Sequence, residues 1–348
     1  MDVSRGLLFS SSIASSAVST ITDIAVAHNT SPYISVYPFT SGVGFGTKYS
    51  DPSTLLPDNG RDVAFISTDI AVAHSTSPYI SVYPFTSGVG FGAKYANPGT
   101  LPASTGNGVA FSLTETDIAV AHNTSPYISV YPFTSGVGFG TKYANPGTLP
   151  TITATSVSFT STDVAVSHFQ GFYISVYPFT SGVGFGAKYA NPGTRPASTG
   201  NGVAFSLTET DIAVAHNTSP YISVYPFTSG VGFGTKYADP GTLPASTGRR
   251  VAFTSTDIAV AHNNSPYISV YPFTSGVGFG AKYANPGTLP ASTGNGVAFT
   301  STDIAVAHST SPYISVYPFT SGVGFGAKYA NPGTLPASTG NGVSFRVA

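Results

Sequence analysis

Apolar and polar residues alternate along this chain in short runs, and nearly every run is cut off by Gly, Pro, Asn or Ser. That is the punctuation of strands and turns rather than of helices. In one stretch, Asp69 to His74, Tyr79 to Phe85 and Phe91 to Ala96 read as strands b, c and d, and Gly108 to Phe111 reads as strand a of the next unit. Alternation sorts their faces: Ile70, Val72 and His74 share one side of strand b, and Ala71 and Ala73 the other. In strand c, Ile80 and Val82 oppose Tyr79, Ser81 and Tyr83. Ser75-Thr76-Ser77-Pro78 joins b to c as a hairpin, and Thr86-Ser87-Gly88-Val89-Gly90 joins c to d.

The same pattern returns seven times. Thr-Asp-Ile-Ala-Val-Ala-His begins at Thr22, Thr68, Thr116, Thr210, Thr256 and Thr302, with the variant Thr-Asp-Val-Ala-Val-Ser-His at Thr162. Its terminal histidines, His28, His74, His122, His168, His216, His262 and His308, are 46 or 48 residues apart. The two extra residues fall in the a–b turns after Phe111 and Phe205, and an even insertion at a hairpin tip preserves strand register. A unit of this size cannot bury its apolar surface alone, so units must stack, with Tyr and Phe rings of one over the alanine rows of its neighbour. The expected fold is all-β: a seven-bladed β-propeller of four-stranded antiparallel blades, a single domain over residues 21–348. Seven b–c–d sets meet eight a-like segments, counting Leu7 to Ser10 and Val343 to Val347. The C-terminal segment is therefore expected to supply strand a of the first blade, closing the ring by pairing the chain ends and leaving residues 1–20 as an appendage or extra strand. One lysine per unit, such as Lys94, falls in the predicted outer strand d and reads as a guard against edge-to-edge pairing.

Composition narrows the partners. Charged residues are only 8% of the chain, net charge is −1, and no basic block exists, which argues against nucleic acid or an anionic membrane surface as partner. There is no cysteine, so disulfides and thiolate metal sites are excluded. Arg5 and Gly6-Leu7-Leu8-Phe9 run into serine-rich sequence rather than the unbroken apolar core of a signal peptide.

The order Val-Ala-Phe-Ser, short turn, Asp-Ile-Ala-Val-Ala-His, turn, Tyr-Ile-Ser-Val-Tyr-Pro-Phe resembles the a, b and c strands of WD-repeat propellers. The resemblance covers the chain from Thr22 onward. It is one of rhythm: Val82-Tyr83-Pro84 stands where that family has its Trp-Asp pair, and without any tryptophan the family's Asp–His–Ser–Trp network cannot be carried over. The unit also looks like repeats in propeller proteins of bacteriophages and environmental sequences, which implies a virion or extracellular setting. The WD-repeat topology puts the b–c and d–a loops on one rim and the a–b and c–d loops on the other.

On that basis each histidine stands near the b–c rim beside a long d–a loop. Two readings compete. In the first, His28, His74, His122, His168, His216, His262 and His308 join Tyr33, Tyr79, Tyr127, Tyr221, Tyr267 and Tyr313, with Asn107, Asn201 and Asn295, in neutral polar pockets at the blade boundaries that suit sugar hydroxyls. In the second, each histidine caps backbone carbonyls of its own loop. No metal or other cofactor is expected, because each unit offers one His and one Asp at opposite ends of a strand. The aspartates read as caps of the a–b turns. No catalytic residue is assigned: an active site assembles unlike groups, and the blades repeat the same ones. The expectation is a non-enzymatic binding module, a monomeric ring alone or within a larger assembly, with about seven equivalent weak sites for cell-surface glycans. The alternative is a structural virion or fibre-associated protein that docks a protein partner through one rim. Blade 4 departs most, with His168-Phe169-Gln170-Gly171-Phe172 in place of the Ser-Pro turn, which reads either as an asymmetric docking patch or as drift in a redundant array.

Overall fold

The computed structural model describes residues 21–346, and the expectations for residues 1–20 lie outside them. The described residues form seven four-stranded antiparallel sheets. Blade 2 is typical: strand a Gly60–Phe65, b Asp69–His74, c Ile80–Thr86 and d Gly90–Phe91. Blade 1 is assembled from both ends of the chain. Its strands b, c and d are Ile21–His28, Ile34–Thr40 and Gly44–Phe45, and its strand a is the C-terminal Gly340–Arg346, paired from Asp23↔Arg346 to His28↔Gly340. Arg346 adds a 3.5 Å ion pair to Asp23. The expected seven-bladed ring and its closure are therefore both present.

Adjacent blades stack as the alternation demands. Between blades 2 and 3, Ala71, Ala73, Ile80 and Val82 form one wall, and Ile118, Val120, Tyr131 and Phe133 the other. Small residues on one face let the facing rings approach; Phe133 meets Tyr95 and Phe111 edge-to-face at 5.5 and 5.4 Å between ring centroids. The same packing joins blade 7 to blade 1, where Ala305 and Ala307 face Tyr37, Phe39 and Phe345.

Strand d is shorter than the pattern predicts, only two residues. Pro84 explains this: its carbonyl faces d and accepts from Gly92 N–H at 2.8 Å, so the N–H it lacks would have been the neighbouring rung. The chain stays against strand c through Tyr95 N–H to the Val82 carbonyl. Lys94 lies beyond the short strand, half-buried and folded back onto Asn97, so it caps its own loop rather than guarding a ladder edge.

Strand a lines the axis. At its third residue, blades 3, 5, 7 and 1 carry Gly108, Gly202, Gly296 and Gly342, and here the absent side chain matters. A Cβ on Gly108 would lie 2.9 Å from Ser156 Cα of the next blade, and one on Gly342 would lie 2.9 Å from Asp62 Cα. Glycine lets the inner strands close around the axis.

Candidate functional site at the axial mouth

The seven histidines do not open onto a rim. Each is enclosed, with at most 1% exposure, and its Nε2 lies 3.0–3.1 Å from the Oγ of a strand-c serine, as His74 does from Ser81. In His74, His168, His216 and His308 the Nδ1 lies 2.8–2.9 Å from a b–c turn carbonyl, Thr76 in the case of His74. A carbonyl only accepts, so the proton sits on Nδ1 and Nε2 accepts from the serine. Burial pushes all seven imidazoles down to about 4, which keeps them neutral. Each histidine thus pairs with a serine of the adjacent strand c.

Tyr33, Tyr79, Tyr127, Tyr221, Tyr267 and Tyr313 are half-buried and take left-handed backbone angles, φ +69 to +70, at the end of each b–c turn. Their carbonyls accept the histidine backbone N–H, as Tyr79 does from His74 at 3.1 Å. That carbonyl also explains the glycine opening the next strand a: a Cβ on Gly106 would fall 2.4 Å from Tyr79 O. These tyrosines are distributed around the wall, one per blade boundary, and none lines the axial concavity.

The repeated aspartates are fully buried, and their carboxylates serve the blade boundary rather than only their own turn. Asp69 accepts from Tyr95 Oη at 2.6 Å and from Thr68 Oγ1 at 2.7 Å, while Tyr95 Oη accepts from Gly136 N–H of the following blade at 2.8 Å. This Asp–Tyr–Gly relay runs from blade to blade and closes the ring through Asp303, Tyr329 and Gly42. Sequence reasoning missed these tyrosines beyond strand d.

The asparagines have a different fate: they converge. Asn107 Nδ2 donates to Ala154 O of the next blade at 2.7 Å, Asn201 to Gly248 O at 2.7 Å, Asn295 to Gly340 O at 2.9 Å and Asn341 to Gly60 O at 2.7 Å. Thr155 makes the equivalent bond to Gly200 O at 2.6 Å. Together they form a polar collar around the mouth of the central channel, above a basin of about 620 Å³.

The collar is interrupted where the repeat is broken. Blade 2 has Arg61-Asp62 and blade 6 has Arg249-Arg250 where blade 3 has Asn107-Gly108. Arg61 Nε donates to Ser75 at 2.8 Å and Arg249 Nε to Asn263 at 2.6 Å, each within its own blade. Arg250 reaches across the axis: its guanidinium donates to Asn201 O in blade 5 at 2.6 Å and to Asn107 O in blade 3 at 3.4 Å. Arg61, Arg249 and Arg250 all line the basin, and no acidic side chain among the described residues does. Asp62, one residue deeper along its strand, accepts from Val63 N–H at 3.1 Å and Val109 N–H at 3.3 Å. Desolvation holds its carboxyl above the usual range, opposed by the Arg250 charge and by those two amides. The signal for this cluster was the pair of departures from Gly-Asn-Gly at one position of the unit.

No family model matches the chain, and no curated protein resembles it in sequence. Its fold is similar to several solved rings. A protein from Bacteroides fragilis assigned as a 6-phosphogluconolactonase superposes with a TM-score of 0.71 at 11% identity, covering 95% of this chain and 99% of that one. Its counterpart from Bacteroides uniformis gives 0.69 at 14%, covering 93% and 99%. The periplasmic gluconolactonase of Pseudomonas aeruginosa gives 0.66 at 13%, covering 94% and 99%. At such identities the likeness is one of fold. These neighbours nonetheless correct the expectation of a non-enzymatic module, whether a seven-site glycan binder or a structural virion component. Rings of this build carry proteins named as lactonases, so uniform walls are no argument against catalysis.

Proposed function

We propose that the axial mouth is the active site of a hydrolase acting on a sugar-acid lactone or a closely related cyclic ester. The observation that carries this reading is the convergence of Arg61, Arg249 and Arg250, from blades far apart in the chain, on one basin ringed by amides, with the half-buried Asp62 next along the strand from Arg61. The names of the structural neighbours support the reaction class. The WD-repeat-like rhythm of the blades concerns the wall and leaves the mouth's chemistry open.

Lactone hydrolysis needs a base to take a proton from water, positive charge where the carbonyl oxygen becomes an oxyanion, and donors to hold the polyol. Asp62, whose carboxyl desolvation raises, is the base, and because it does not itself line the basin it takes the proton through a bridging water. The attacking water loses its proton to Asp62, its oxygen bonds to the carbonyl carbon, and the ring C–O bond breaks with the proton returned to the departing hydroxyl. Arg250, held on the axis by two carbonyls, faces the developing negative charge. Asn107, Asn201 and Asn295, whose amide N–H groups are spent on neighbouring acceptors, offer Oδ1 to accept from hydroxyl groups. The test is hydrolysis of glucono-δ-lactone and 6-phosphoglucono-δ-lactone followed by NMR and corrected for the uncatalysed rate. Acceleration that falls at least about a hundredfold in Asp62→Asn and Arg250→Met supports the assignment; no acceleration with either lactone refutes it.

A further inference from the structure

Blade 4 differs from the other six at the residue next after its strand-b histidine. They place Asn29, Ser75, Asn123, Asn217, Asn263 or Ser309 there; blade 4 places Phe169, which is 46% exposed. Its backbone is anchored, with N–H donating to Thr153 O and the carbonyl accepting from Thr199 Oγ1, each at 3.2 Å. The ring borders both the axial basin and an adjacent concavity of about 700 Å³ lined from blades 4 to 6. Phe169, Asn201 and Arg249 belong to both spaces, and Gln170, Thr199 and Asn217 continue the second. The site thus has two unlike halves: a mouth with three guanidinium groups and no acidic lining, and an open neighbouring concavity whose polar lining carries one exposed aromatic ring, Phe169.

We propose that the second concavity, through Phe169, receives the flat, ring-bearing arm of an anionic substrate whose charged head sits between Arg61, Arg249 and Arg250. A phosphate or carboxylate matches planar guanidinium donors, and an aromatic or similarly flat arm gains contact with Phe169 that a hydroxylated chain does not. This rests on the same cluster of Arg61, Arg249 and Arg250 that carries the proposed function, read as an anion-binding site, but not on turnover. The experiment is calorimetric titration of the intact protein with methyl phosphate and phenyl phosphate, which share a head and differ in the arm. Phenyl phosphate is expected to bind roughly three- to tenfold more tightly. Phe169→Ser should erase that preference, and Phe172→Ser, which removes a ring exposed outside both concavities, should keep it. Arg250→Met should weaken both probes. Equal affinities in the native protein, no binding of either probe, or a preference that survives Phe169→Ser overturns the proposal. Because the readout is affinity, a protein that shows the preference yet hydrolyses no lactone would retain this site and lose the proposed reaction, and the reverse result would do the opposite.

Discussion

Around the wall of the ring, seven copies of one histidine meet seven serines, and seven rows of small residues, Ala-Ala in six blades and Ala-Ser in blade 4, meet the rings of the next blade; at the mouth, one position holds asparagine in four blades, threonine in one and arginine in two. The wall repeats because each blade must satisfy the same neighbour, so a change there is felt at an interface. The mouth is released from that demand: a collar with two gaps still stands, and the gaps are where the charges sit. Stability and chemistry are thereby assigned to different parts of the same strands. Perturbing the two parts separately tests that division.

Acid should break the wall first. All seven histidines titrate near 4 when folded and near 6.5 when unfolded, so the unfolded chain binds protons that the folded one refuses. Their contribution is complete above pH 6.5 and is lost as pH falls toward 4, at about 1.4 kcal/mol per histidine per pH unit. Urea midpoints measured from pH 7.5 to 4.5 should drop steeply below about 6.5, and a flat profile would contradict the enclosed neutral imidazoles. Phe133→Ala comes next, with an expected cost of about 3–5 kcal/mol from the cavity between blades 2 and 3, read as a lower urea midpoint. Asn107→Ala should cost about 1–2 kcal/mol by leaving Ala154 O without its donor. The smallest effect is the most discriminating: Arg249→Asn restores the repeat residue, within reach of the next blade's strand-a carbonyl. It should stabilise the ring by roughly 0.5–1.5 kcal/mol while weakening phosphate binding, a gain in one part set against a loss in the other.

Much of the wall was legible in the sequence, because the forces that build it are local or periodic. Strand b ends where alternation ends it, at His74, and the excess a-like segment at Val343 pointed to closure through the C-terminus. Strand d was overestimated because the consequence of Pro84 depends on which way its missing N–H faces, and that depends on the register. The histidines could not be assigned between pocket and cap until their burial was known. The mouth was hidden for another reason. Arg61, Asp62, Arg249 and Arg250 look like small blemishes in a periodic text, and only bending that text into a circle places them together. Reading the repeat for its consensus discards the positions to which the proposed chemistry is assigned.

The closing blade has one further implication, for force. Asp23 pairs with Arg346 at the end of the sheet where one strand begins and the other finishes, so the two ends of the described chain leave from the same side. A pull on those ends loads the rungs between Ile21–His28 and Gly340–Arg346 one after another rather than all at once. In an optical trap this seam should part like a zip at low tension, before the remaining six blades, each continuous in sequence, begin to give.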